Sequence, residues 1–150
     1  ERKEKATAIQ LTPDQVGTLA SIVQSETNKK DEMPVVAGVY MNRLRINMPL
    51  QADPTVKFAV GDFSLKRILH KHLSVDSPYN TYKNTGLPPG SIALPERVAL
   101  DAVLRYEKHN YTYFSAKEDF SGYHNFAENF TEHLKNAQRY QSALNQRGIR

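Results

Sequence analysis

Cysteine is absent from the 150 residues, which removes disulfides, thiolate catalysis and cysteine-ligated metal sites from consideration. No apolar run approaches the roughly 18 residues that a membrane-crossing helix needs. No signal-peptide pattern, internal repeat, low-complexity tract or linker is visible. Net charge is +4, yet Lys and Arg gather only near Arg2–Lys5 and Arg147–Arg150, which reads as solvated termini. A nucleic-acid binder would carry a basic stripe interleaved with aromatics, and there is none, so nucleic acid is not an expected partner. Metal spacing is missing too. His70-Lys71-His72 diverge on a helix, and no Cys or His-Glu helix motif joins His124 and His133. No metal and no cofactor is expected.

What is present is an ordinary globular composition, 39% hydrophobic and 24% charged, in a length that suits one domain with a full core. The chain begins without Met, in Glu1-Arg2-Lys3-Glu4-Lys5, and we read it as a fragment: residues 1–10 are a charged lead-in and residues 11–150 the domain.

The most informative run is Leu19-Ala20-Ser21-Ile22-Val23-Gln24-Ser25-Glu26-Thr27-Asn28. Thr12-Pro13-Asp14-Gln15 carries a capping box with Pro at the first helical position, and Val16, Leu19, Ala20 and Val23 follow at helical spacing. At about 100° per residue, Glu26 lies roughly 20° from Leu19 and 40° from Ile22, while Gln24 points the other way. Glu26 therefore shares the apolar face. A carboxyl against an apolar wall resists ionisation, so its pKa rises toward neutrality, and such a group can give a proton and take one back.

The rest of the chain predicts a helix-rich α+β domain with a small β-hairpin. Pro34 opens a second helix with Val36, Ala37, Tyr40 and Leu44 as its stripe, ending near Asn47-Met48-Pro49. Leu50–Val56 is expected to be a loop, because Pro54 pushes Asp53 out of helix. Ser64 opens a short helix through His70. Ser77–Tyr82 and Gly86–Gly90 form a long irregular stretch, and loops of that length are usually functional. Pro95 begins a third helix with Val98, Ala102, Val103 and Tyr106 inward. Tyr111–Ala116 and Tyr123–Phe126 pair as strands around a turn at Lys117–Gly122. Thr131 caps a last helix that runs to Gly148.

Five segments then carry a resemblance: Ser21-Ile22-Val23 to Glu26-Thr27, Val39-Tyr40-Met41-Asn42-Arg43-Leu44, Leu50-Gln51-Ala52-Asp53-Pro54-Thr55-Val56, Tyr79-Asn80-Thr81-Tyr82 and Gly86-Leu87-Pro88-Pro89-Gly90. With Tyr113-Phe114, His124-x-Phe126 and Glu132-His133 in the same order, the sequence resembles the YceG-like endolytic murein transglycosylases from about Leu11 to the last helix. The resemblance implies a catalytic domain over 11–150 with a lysozyme-like catalytic helix and Pro-containing loops lining a groove. The activity it implies is cleavage of the MurNAc-β-1,4-GlcNAc bond within peptidoglycan glycan strands, leaving 1,6-anhydroMurNAc ends. It also implies a bacterial cell-envelope setting outside the cytoplasmic membrane. It further implies a parent protein with a single N-terminal membrane anchor and a LysM-like subdomain ahead of this catalytic region, and cell-wall synthases as candidate partners. The family's catalytic glutamate falls on Glu26. Many relatives carry an acid where this chain has Gln24, and Ser91 and Leu94-Pro95-Glu96 also depart from the usual pattern.

The chemistry stands without the name. Glycosidic cleavage usually takes two carboxylates. A transglycosylase needs one, because the sugar's own C6 hydroxyl is the nucleophile and is already close to its target. The other groups hold amides and hydroxyls. Asn42, Gln51, Thr55, Tyr79, Asn80, Thr81, Tyr82 and His124 are the candidate substrate-binding residues. Each has a plainer reading: Asn42 a solvated helix residue, Tyr79, Asn80 and Tyr82 partners of their own loop's backbone, His124 a hydrogen-bonded structural group. Asp53 is read first as a turn residue or a support holding a loop through backbone N–H groups, and behind these as a catalytic nucleophile. Thr27 and His133 are supporting residues near the site. Arg43 and Arg45 are solvated or paired with carboxylates, or contact lactyl-peptide carboxylates. The rival function is a non-catalytic peptidoglycan-binding module, which would keep the aromatics and amides without needing a buried acid.

Overall fold

The structure, a computed structural model, describes residues 2–61 and 68–148. Its centre is the helix the capping box announces. Helix α2 spans Pro13–Glu26, with Thr12 Oγ1 accepting the Gln15 N–H at 3.1 Å and Gln15 Oε1 accepting the Thr12 N–H at 2.9 Å. Leu19, Ala20, Ile22 and Val23 on it are fully buried. Helix α3, Met33–Arg45, lays Val36, Ala37 and Tyr40 against them. Full burial of each large aliphatic side chain here contributes about 1.5–3 kcal/mol. Ala99 and Val103 of α5, Arg97–Leu104, close the third side of this core. α5 begins two residues after Pro95, with Glu96 at its N-cap.

Two helices depart from the sequence expectation. Helix α1, Arg2–Ala8, occupies what reads as a solvated lead-in, because Ala6 is buried and Ile9 and Leu11 follow it into the core. Helix α4, Asp53–Val60, replaces the loop expected over Leu50–Val56. Pro54 sits in the first turn of α4, where its missing N–H has no intrahelical partner to lose, so it starts the helix and does not block it. Gly61, at φ +78, ends α4 in the left-handed conformation. The helix expected from Ser64 starts outside the described residues. A single 3₁₀ segment covers His70–Ser74.

The hairpin forms. β1, Tyr113–Ala116, pairs antiparallel with β2, His124–Ala127, in the register Tyr113↔Ala127 to Ala116↔His124. Helix α6, Phe130–Gln146, packs on both strands. Its cap is Asn129, whose Oδ1 accepts the Glu132 N–H at 2.8 Å, and not Thr131, which lies one residue inside the helix. The result is an α+β domain in which α2, α3, α4, the Ser77–Tyr82 loop, β1 and α6 converge on the C-terminal end of α2.

Candidate active site

Glu26 is the last residue of α2, and the chain turns away immediately after it. Thr27 leaves the helix in extended conformation, its N–H still bonded to the Val23 carbonyl, and its Oγ1 accepts the Lys29 N–H at 3.1 Å. Thr27 thus shapes the turn that frees the Glu26 side chain from its own helix. Glu26 is half-buried on the stripe of Leu19 and Ile22. Burial is the main cause that raises its pKa from 4.5 to about 7, and the Asp53 charge adds to it. A hydrogen bond from the buried Tyr40 hydroxyl and the charges of Arg43 and Lys57 oppose the rise without cancelling it. Gln24 points elsewhere: its amide bonds the Leu94 carbonyl and the Glu96 N–H, tying α2 to the start of α5.

Two cavities meet at this carboxyl. The first, about 240 Å³, is lined by Glu26, Arg43, Leu50, Gln51, Asp53, Tyr82, Tyr113, Phe114, Phe130 and His133. The second, about 550 Å³, is lined by Ser25, Glu26, Asp53, Pro54, Lys57, Phe58, Ile92 and Ala93. Together they make a groove with Glu26 and Asp53 at its middle. The Tyr82 hydroxyl donates to Asp53 Oδ1 at 2.6 Å, and burial together with this bond pushes the phenol pKa up, so Tyr82 stays a donor. Asp53 is therefore held by a side-chain hydroxyl, where the sequence suggests backbone N–H groups. Gln51 is exposed in the first cavity at φ +50, a conformation that non-glycine residues hold only where the surroundings enforce it. Here its N–H is tied to the Thr81 carbonyl at 3.2 Å. His133 reaches the same cavity from the first turn of α6, stacked on Tyr113 at 5.0 Å, with Nδ1 buried and unpartnered. Burial, then Arg43, lowers its pKa and keeps it neutral.

Other candidates lie elsewhere. Asn42 is buried, and its amide nitrogen donates to the His109 and Tyr111 carbonyls at 2.9 and 2.8 Å, so it holds the segment leading into β1 and does not line the groove. Gly38 lets α3 approach that segment, since a Cβ there would collide with the Glu107 carbonyl and the His109 ring. Thr55 and Thr81 are buried and bond each other at 2.9 Å, with Thr55 donating to the Ala52 carbonyl and Thr81 accepting the Ala52 N–H. Asn80 is fully buried, donating to the Leu73 and Val75 carbonyls and accepting the Tyr82 N–H. These three brace the groove floor from beneath. Tyr79 lines neither cavity but packs its ring 4.7 Å from Phe58 of the second. His124 turns to Glu32: Nδ1 lies 2.6 Å from Oε1 and its backbone N–H donates to Oε2 at 2.8 Å, which anchors β2 to the start of α3.

Arg43, which the sequence leaves between solvent, a carboxylate partner and a substrate contact, is a wall of the first cavity. It is buried, and among the described residues no carboxylate bonds it. Nε donates to the Thr112 carbonyl at 2.7 Å, Nη1 donates to the Pro49 and Leu50 carbonyls, and the guanidinium lies over the Tyr113 ring. Its position three residues after the buried Tyr40 was the available signal, because i and i+3 share a helix face. Tyr113 and Phe114 entered the sequence reading only as part of the family resemblance, and Phe130, Lys57 and Phe58 carried no local signal.

Comparisons with known proteins identify the family. The chain matches the YceG-like family over residues 1–139. It belongs to that family. This YceG-like chain is 43% identical over 130 residues to the endolytic murein transglycosylase of Bacillus subtilis (strain 168), covering 87% of itself and 35% of that protein. It is 35% identical over 140 residues to the endolytic murein transglycosylase of Streptococcus pneumoniae serotype 2 (strain D39 / NCTC 7466), covering 90% of itself and 25% of that protein. The crystal structure of a YceG-like protein from Listeria monocytogenes superposes with a TM-score of 0.82 at 38% identity, over 88% of this chain and 42% of that one. The YceG-like chain thus spans about a third or less of the curated relatives it matches.

Proposed function

We propose that this chain is the catalytic domain of an endolytic peptidoglycan lytic transglycosylase, with Glu26 as general acid and then general base. The observation that carries the reading is a carboxyl with a pKa of about 7 at the junction of two cavities that form one continuous groove. A group poised near the working pH is protonated often enough to donate and basic enough to recover the proton. The relatives' names point to the substrate class, peptidoglycan, and with it a cell-envelope setting; cell-wall synthases are candidate partners on the family resemblance alone. Among the described residues no helix is long and apolar enough to cross a membrane.

In this reading the glycan strand lies along the groove with a MurNAc-β-1,4-GlcNAc bond over Glu26. The carboxyl protonates the bridging oxygen, the C1–O bond breaks with its electron pair going to the departing GlcNAc, and positive charge develops at C1 of MurNAc. The MurNAc C6 oxygen attacks C1, and the Glu26 carboxylate takes the C6 hydroxyl proton, which restores the acid and closes the 1,6-anhydro ring. The internal nucleophile replaces the second catalytic carboxylate that hydrolysis uses. Phe58, Ile92, Phe114 and Phe130 give the groove apolar walls that limit competing water. Gln51, Tyr82 and His133 present polar groups to the sugars.

The test is mass spectrometry of the sugar ends released from sacculi. Anhydro-muramyl ends are expected from the parent protein and none from Glu26→Gln. Reducing muramic ends would identify a hydrolase. Retention of sacculi with no new ends from the parent would make the chain a binding module.

A further inference from the structure

We propose that Asp53 is the second functional carboxylate of the groove: clamped by Tyr82 beside Glu26, it faces the sugar carbon under attack and stabilises the positive charge that develops there. The proposal rests on the transglycosylase reading and extends it.

Three observations carry it. Glu26 and Asp53 are the two residues shared by both cavities, so a strand lying along the groove passes both carboxyls at the same point. Asp53 opens α4 with its side chain exposed to the groove, and the Tyr82 hydroxyl fixes one of its oxygens at 2.6 Å. A charge that is only an ornament of the helix N-terminus needs no such clamp. Third, the Asp53 charge reaches Glu26 and adds to the effect of burial in raising its pKa.

The two carboxyls then divide the work by environment. Before the reaction, burial and then the Asp53 charge favour the protonated form of Glu26. As the C1–O bond breaks, C1 becomes positive and Glu26 becomes an anion. A preorganised negative group lowers the cost of the first event, as electrostatic stabilisation does where charge develops. No bond forms to Asp53. The proton given by Glu26 goes to the leaving oxygen, and the C6 hydroxyl returns one.

Asp53→Asn and Tyr82→Phe in the full-length protein test this, by the initial rate of new sugar ends on soluble glycan strands from pH 5 to 9. The charged and titratable groups around Glu26 are Tyr40 and Arg43 of α3, Lys57 of α4, Tyr82, Tyr113 of β1 and His133 of α6, and both variants leave the charges of Arg43 and Lys57 in place. Asp53→Asn is expected to lower kcat about 100-fold with KM little changed. Activity that needs protonated Glu26 is lost as pH rises, and that loss should move to lower pH, because a neighbouring negative charge that adds to the effect of burial is gone. Tyr82→Phe keeps the charge but loosens it: about a 10-fold loss in kcat is expected, with the alkaline limb in place. Parental kcat in Asp53→Asn, or a fall in kcat with the limb unmoved, overturns the proposal. If Asp53→Asn does not fold, unchanged kcat in Tyr82→Phe overturns it alone. Failure of the parent to release new ends would instead sink the transglycosylase reading.

Discussion

Two regions of this domain look alike in composition and differ in what their polar groups do. In the groove, Gln51, Asp53, Tyr82 and His133 face open space, and their hydrogen bonds are few. Beneath it, Thr55, Asn80 and Thr81 are buried to a relative exposure of 1% or less, with bonds to backbone groups and to each other. Both regions come from the segments that resemble the family, so the same short motifs supply the site and its foundation. Residue type does not separate them. The direction in which each hydrogen bond is satisfied does, and that is set by tertiary structure.

The widest separation between the regions should come from Glu26→Gln. We expect turnover to fall at least about 1,000-fold, with the thermal transition no lower than the parent's, measured by release of sugar ends and by calorimetry. Asn80→Ala should do the reverse. It removes a fully buried amide that makes three bonds, leaving the Leu73 and Val75 carbonyls and the Tyr82 N–H unpartnered. A loss of about 2–4 kcal/mol is expected in denaturant titration, with the folded fraction keeping its activity. If Asn80→Ala were stable but could not bind glycan, the division between groove and foundation would be wrong.

Much of this arrangement was legible in the sequence. The capping box fixed the start of α2, and its helical stripe placed Glu26 on the buried face. The hairpin and α6 followed from alternation and spacing, although the cap of α6 lies at Asn129 and not Thr131. What failed had physical causes. Pro54 reads equally as a helix breaker or as a first-turn residue, and Ala52 gives no capping side chain to decide between them. The charges of α1 hide one core residue, Ala6. Asn42, Thr55, Asn80, Thr81 and His124 have the side chains a sugar site needs, but a buried backbone carbonyl needs the same donors, and only the fold shows which claim is met. Arg43 stayed open among three readings for the same reason: backbone carbonyls fix it where solvent, a carboxylate or a substrate contact was expected.

A pH series sharpens the contrast from the groove side. The unfolded chain holds the Glu26 proton up to a pKa near 4.5, the folded chain up to about 7. Between those values the folded state binds more protons, so stability falls as pH rises through this window and stays lower above it. A glutamine side chain at this position has no such proton to lose. The Glu26→Gln variant should therefore gain on the parent from pH 5 to pH 8, by on the order of 1–3 kcal/mol. An advantage that is flat across the series would remove the case for a desolvated acid.

The smallest effect tests the foundation at its most sugar-like residue. Thr55→Ser keeps the hydroxyl that donates to the Ala52 carbonyl and meets Thr81 Oγ1, and deletes one methyl at a site with no exposure. Deleting a buried methyl costs about 1 kcal/mol. If Thr55 is foundation, denaturation shows that loss and kcat/KM on glycan strands stays at the parental value, because Glu26, Asp53 and Gln51 do not move. If Thr55 instead reached substrate, shortening its side chain would lower kcat/KM while the retained hydroxyl network held stability constant. Only the first outcome is compatible with a residue sealed on the buried face of α4, where no sugar can arrive without displacing Ala52 from its bond to Thr81.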